Sequence, residues 1–197
     1  MSTTLHETDL KRRFAAAPTY AEYAAGAQKN LELWQSIYRL ATVDADAVER
    51  VRALPGRWQL LVLSEDWCGD AFNTVPVLAK LADLAPNLEL RVLGRDANPD
   101  LMDAHLSPTG ARAIPVVMVL DEDFVERGWW GSRPGPLQAW VTGEGMRLPP
   151  GERYPRVRQW YARDRGRTTV EEVVRLLERS ASARRPSGSA AIPSAGA

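Results

Sequence analysis

Apolar and polar positions follow two different rhythms along this chain. At Leu60-Leu61-Val62-Leu63 four apolar residues run together, the pattern of a strand buried on both faces. The run passes through Ser64-Glu65-Asp66-Trp67 to Cys68, and then the period changes. Phe72, Val75, Leu78, Ala79, Ala82 and Leu84 fall on one face of a helix. Cys68 is thus predicted where a buried strand hands over to a helix N-terminus. Leu88 to Arg95 predicts a second strand, and a strand–helix–strand order in so short a span implies a right-handed crossover and a parallel pair. Val116 to Leu120 is another unbroken apolar run, a third strand buried on both faces. Asp121-Glu122-Asp123 predicts a hairpin turn, Phe124 to Trp130 an antiparallel fourth strand, and Gly135 to about Thr142 a helix.

Helical spacing dominates on either side of these strands. Leu5 to Ala17 predicts a short helix ending at Pro18. Thr19 with Glu22 reads as a capping box. Beyond it Tyr20, Tyr23, Ala24, Ala27, Leu31, Trp34, Ile37 and Tyr38 predict one long amphipathic helix reaching Leu40. Asp44 caps a further helix, Ala45 to Leu54, closed by Pro55-Gly56. After a break at Leu148-Pro149-Pro150-Gly151 come two more, Glu152 to Arg165 and Thr168 to Arg179, with Gly166 ending the first and Thr168 or Thr169 capping the second. The end of the chain is Ser, Ala, Pro and Gly, too poor in apolar area to offset its ordering entropy. The class predicted is α/β, a central four-stranded mixed sheet flanked by helices. Residues 1–56 form an N-terminal helical extension, 57–145 the core, 146–181 C-terminal helices packed on it, and 182–197 a disordered tail.

Composition adds limits. A hydrophobic content of 45% supports a sizeable core, and a formal net charge of zero favours neither a nucleic acid nor a membrane as partner. The charge is unevenly spread: residues 61–146 carry 6 basic and 13 acidic side chains, residues 147–197 carry 11 and 5. Internal pairing accounts for this. Tyr154, Trp160 and Tyr161 lie in the basic stretch, at a helical spacing that suits packing better than base stacking. One cysteine rules out an internal disulfide and an all-cysteine metal site. With only His6 and His105 beside it, a zinc site has few candidates, and the acidic cluster at 121–123 reads as a solvated turn rather than a cation loop. No glycine-rich phosphate loop is present, so no cofactor is implied. No apolar leader and no membrane-length apolar run occur, and the expected compartment is the cytoplasm. The oligomeric state is not legible.

The chemistry centres on Cys68. The first N–H groups of a helix are unpaired and present partial positive charge, which can bring a thiol pKa from about 8.5 down to roughly 3.5–7.5. The competing reading is a buried cysteine packed as a small hydrophobe. Trp67 can wall off the sulfur. Asp70, in the first helical turn, suits the helix dipole but opposes a thiolate, leaving its net effect open. Asp66 has two roles open to it, a helix cap or a proton relay.

Trp67-Cys68-Gly69-Asp70-Ala71 resembles the Trp-Cys-Gly-x-Cys active site of the thioredoxin family, with Ala71 in place of the second cysteine. Pro76 lies where thioredoxins carry a proline that bends the active-site helix. Ile114-Pro115, ahead of Val116-Val117-Met118-Val119-Leu120, resembles the cis-proline loop that faces the active-site sulfur. Glu65-Asp66-Trp67-Cys68-Gly69-Asp70 is similar, more specifically, to a bacterial branch of thioredoxin-like proteins with an N-terminal helical extension. The likeness covers about Arg57 to Val141. It implies a thioredoxin fold, Cys68 as the attacking thiol, and Trp67, Gly69, Asp70, Ile114 and Pro115 as the residues that shape the site. Two departures matter. Ala71 cannot resolve a mixed disulfide, and Val62 stands where the family keeps a buried acid that helps proton transfer. The implied activity is therefore exchange through a single thiol, completed by an outside thiol such as glutathione or a protein partner. The alternative is a non-catalytic module that keeps the fold and its peptide groove. His105 has no sequence-evident link to Cys68, so a cysteine–histidine hydrolase is not indicated.

Overall fold

The computed structural model describes residues 7–184. Its strands are β1 (Trp58–Ser64), β2 (Leu88–Gly94), β3 (Val116–Leu120) and β4 (Glu126–Gly131). They form one mixed sheet in the order β2-β1-β3-β4. β1 runs parallel to β2, with Val62 opposite Val92, and antiparallel to β3, with Leu63 opposite Val116. β3 and β4 are antiparallel, with a register shift at Val119/Leu120. Every residue of β1 and β3 is buried, as unbroken apolar runs require when both faces of a sheet are covered. The architecture is the α/β mixed sheet that the pattern predicts.

The helices are α1 (Glu7–Ala16), α2 (Tyr20–Gly26), α3 (Leu31–Leu40), α4 (Ala45–Arg52), α5 (Gly69–Leu84), α6 (Pro99–Ala104), α7 (Gly135–Thr142), α8 (Pro150–Asp164) and α9 (Arg167–Arg184). Most match their predicted counterparts, and the capping box at Thr19 and Glu22 is complete. The single long helix expected from Tyr20 to Leu40 is instead two, α2 and α3. The chain leaves α2 after Gly26, is extended at Ala27 and turns left-handed at Asn30. The amides of Gln28 and Lys29 both donate to the Asp66 carboxylate, at 2.7 and 2.9 Å. A charged acceptor distant in sequence thus captures donors that a continuous helix would have used internally.

Two further corrections concern the C-terminal part. α9 begins at Arg167, so Thr168 and Thr169 lie inside it. Asp164 accepts from the Thr168 amide at 3.1 Å and from its hydroxyl, and does the capping instead. α9 also runs on to Arg184, into the stretch predicted to be disordered from 182. The rest of that predicted tail, 185–197, lies outside the described residues, as does His6. Fully or nearly buried, Val170, Val173, Val174 and Leu177 of α9 join the main core. Arg50 of α4 clamps Glu171 and Glu178 of α9 at 2.7 and 2.8 Å. Leu137 and Val141 of α7 and Tyr161 of α8 form a separate small cluster, against which Trp160 packs, while Tyr154 is exposed. Asp121 braces the β3–β4 turn by accepting from the amides of Asp123 and Val125 and from Arg127.

His105, at the end of α6, is buried. Its Nδ1 lies 2.6 Å from the Leu101 carbonyl and its Nε2 lies 2.9 Å from Glu126. Two acceptors on one ring are both satisfied only by the imidazolium. Burial opposes that charge, but the bonds to Glu126 and Leu101 prevail and hold the pKa above its ordinary value. Because the folded-state pKa exceeds the unfolded one near 6.5, this stabilisation is complete below that value and is lost as pH rises through the folded-state pKa. Denaturant titrations across this window should show stability falling with rising pH. In His105→Phe that slope should disappear, at a cost of about 1–3 kcal/mol at pH 6.

Candidate active site

The β1–β3 register builds the site. With Leu63 opposite Val116, the chain leaving β1 meets the chain entering β3. The first carries Cys68 to the N-cap position of α5. The second carries Ile114 and Pro115, joined by a cis peptide bond. The Cys68 thiol donates to the Ile114 carbonyl at 3.4 Å. Cys68, Ile114 and Pro115, chosen from sequence, are therefore brought together. Cys68 is only 7% exposed, whereas Trp67 is 44% exposed with the Arg95 guanidinium 5.1 Å over its ring. Gly69 is exposed and Ala71 fully buried. Val62 lies between Val92 and Val117 in the sheet, so this strand position carries no carboxylate.

Asp66 does not cap α5. Its carboxylate receives the Gln28 and Lys29 amides, and its carbonyl receives Asn30 Nδ2 and Trp34 Nε1, each at 3.1 Å. It fastens the α2–α3 break to the loop that bears Cys68. Asp70 turns the other way. It is 9% exposed, pairs with Arg133 Nη2 at 2.6 Å and accepts from the Tyr161 hydroxyl at 2.9 Å. Burial pushes its pKa up, and the Arg133 charge and the Tyr161 hydrogen bond pull against that.

Arg133 and Tyr161 close the site around Asp70, although sequence reading passes over Arg133 and takes Tyr161 only for packing. Tyr161 stands 91 positions from its partner, and Arg133 sits in a Gly-Ser-Arg-Pro stretch that reads as a connector. The one available signal was an acid, Asp70, beginning an apolar helix. Gly131, at the end of β4, was also missed. A Cβ built there would lie 2.4 Å from the Pro115 carbonyl oxygen and 3.3 Å from Val116 Cα, so only glycine lets β4 approach this closely.

The balance at Cys68, which sequence leaves open, falls on the side of a raised thiol pKa. Burial raises Cys68, and the nearby Asp70 charge raises it further. The amides of Ala71 and Asp70 and the Arg133 charge act in the opposite sense without prevailing. Desolvation of a group this enclosed outweighs the partial charge at the helix start. Both ring nitrogens of His105 are engaged by Leu101 and Glu126, so it is not paired with Cys68. Among the described residues no three His, Cys, Asp or Glu side chains converge as a metal site, and no helix is long and apolar enough to cross a membrane.

A family model described as thioredoxin matches residues 17–147, and the chain belongs to that family. A solved structure of a protein of unknown function from Pseudomonas aeruginosa is similar, with a TM-score of 0.67 and 20% identity over 85% of this chain and 95% of that one. An HIV epitope-scaffold gives a TM-score of 0.62 and 22% identity, covering 86% of this chain and 97% of its own. At these identities the likeness speaks for the fold alone. No curated protein matches the chain.

Two substitutions probe the site. Asp70→Asn removes the negative charge beside Cys68 and keeps an acceptor for Tyr161, so the thiol pKa should fall and alkylation at neutral pH should speed up several-fold. Gly131→Ala forces Pro115 away from β4, and should cost about 1–3 kcal/mol of stability in denaturant unfolding.

Proposed function

We propose that this chain performs thiol–disulfide exchange through the single thiol of Cys68. One observation carries the reading: the sulfur is held at the start of α5, 3.4 Å from the carbonyl of Ile114 at the entrance to β3. An extended segment of a partner laid along Ile114 would present its own sulfur there. The Cys68 thiolate attacks one sulfur of a disulfide. A new S–S bond forms to Cys68, the partner's bond breaks, and its other sulfur departs as a thiolate that takes up a proton. Because Ala71 has no thiol, release requires a second, external thiol to attack the mixed disulfide. The partner is a protein or a low-molecular-weight thiol rather than a nucleic acid or a membrane. The compartment we propose is the cytoplasm, where such thiols are kept reduced.

A second reading is favoured by a specific observation. Cys68 is 7% exposed and its pKa is raised by burial, which suits a non-catalytic module that binds peptides beside Ile114 and Pro115. The two readings part under one experiment. The folded protein is incubated with oxidised glutathione and weighed by mass spectrometry, and alkylation is followed against pH. For the redox reading, one glutathione adduct forms on Cys68 and is released by dithiothreitol, while the alkylation rate is still climbing above about pH 8.5, the ordinary thiol pKa. A folded protein that stays unmodified under conditions where the unfolded chain reacts would overturn it in favour of the binding module.

A further inference from the structure

Next to the residues that follow Cys68, a cleft of about 170 Å³ opens between the first turn of α5 and the face of α8 that carries Tyr161 toward Asp70. Gly69 and Asp70, the two residues after Cys68, form one wall. Arg133, Arg153, Tyr154 and Arg158 contribute to the rest. Its charge is unbalanced. Among the described residues Asp70 is the only acid in the lining, and it is already bound by Arg133 and Tyr161. Arg133 donates from Nη1 to Gln138 at 3.2 Å, but its Nε is buried with no partner. Arg153 meets the Met146 sulfur at 3.3 Å and lies 5.4 Å over the Tyr154 ring, with no carboxylate partner among the described residues. Arg158 has neither a hydrogen bond nor an ion pair among the described residues.

From this arrangement we infer that the cleft receives one carboxylate-bearing arm of a small acidic thiol, of the chemical class of glutathione, joined to Cys68 as a mixed disulfide. The inference rests on the redox reading of Cys68 and names its substrate class. Guanidinium forks suit carboxylates because two parallel N–H groups match two oxygens. The volume limits the guest. Whole drug-sized ligands occupy about 300–1,000 Å³, so this cleft takes one carboxylate-bearing arm rather than a length of acidic peptide. The exposed Tyr154 ring offers an apolar side to the stem of that arm. The bond changes are those of simple exchange. The Cys68 sulfur is oxidised as it bonds to one sulfur of the small disulfide, and the other sulfur is reduced and leaves as a thiolate.

The test compares two disulfides. Oxidised glutathione carries carboxylates, and bis(2-hydroxyethyl) disulfide does not. Rates of adduct formation at Cys68 are measured with each and divided by the same ratio for free cysteine. The expected preference for oxidised glutathione is about tenfold, falling toward one in 1 M salt and in the double variant Arg153→Gln/Arg158→Gln, whose fold is checked by thermal melting. If both disulfides react and the wild-type ratio equals that of free cysteine, the cleft assignment fails while the redox reading stands. If neither reacts, the redox reading fails, and binding of S-methylglutathione to Cys68→Ser decides the cleft. Binding that disappears on adding Arg153→Gln/Arg158→Gln supports it, and no binding overturns it.

Discussion

The antiparallel pairing of β1 with β3 is the constraint on which the site depends. Both strands are sealed on both faces, and their register sets Leu63 against Val116. That one pairing brings the exit of β1, with Cys68, to the entrance of β3, with Ile114 and Pro115. A slip of a single residue would move one segment past the other by about 3.3 Å, comparable to the whole sulfur–carbonyl contact. The other side of Pro115 is fixed as well, because β4 approaches it through Gly131, where any Cβ would collide with the Pro115 carbonyl. Pro115 is thus held between two neighbouring segments of the fold, and its position follows from backbone packing rather than from polar side-chain contacts.

The N-terminal helices act on the same loop from outside. Asp66 ties down the α2–α3 break with its carboxylate and accepts from Asn30 and Trp34 with its carbonyl. Trp34 is completely buried, receives the Tyr23 ring edgewise at 5.3 Å, and meets Phe72 of α5 at 6.5 Å. The aromatic stripe of α2 and α3 is therefore a brace between the helices and the segment on either side of Cys68. The family match begins at residue 17, well ahead of β1, so these helices lie inside the stretch that the family shares.

Local signals were legible and long-range ones were not. The unbroken run at Leu60–Leu63 and the helical spacing after Cys68 fixed β1, α5 and the place of the sulfur, because each depends on residues a few positions apart. Hydrophobic period alone could not reveal the α2–α3 break. Its apolar stripe continues at helical spacing through Ala27 and Leu31, and what ends α2 is a carboxylate 38 positions away. The same holds for Asp70. An acid in a first helical turn looks solvated, yet Arg133 and Tyr161 enclose it from two other parts of the chain. The thiol's pKa was open in the sequence for a related reason. Helix-end chemistry can be read from neighbouring residues, but burial is a property of the whole fold, and at Cys68 burial is the larger effect.

These charges favour different states before and after reaction. In the free protein Asp70 and desolvation hold the proton on Cys68, while Arg133 works against them. Once the sulfur enters a mixed disulfide it carries no charge, so neither desolvation nor Asp70 opposes it any longer. On the reading proposed above, the cleft arginines would then act on the adduct's own carboxylate. A buried sulfur whose pKa is raised is thus poorly arranged to store a reactive thiolate, and on the proposed reading it is better suited to hold an adduct. Combined with the missing thiol at Ala71, this places the stability of the bound intermediate, rather than the speed of attack, at the centre of how such a site would work.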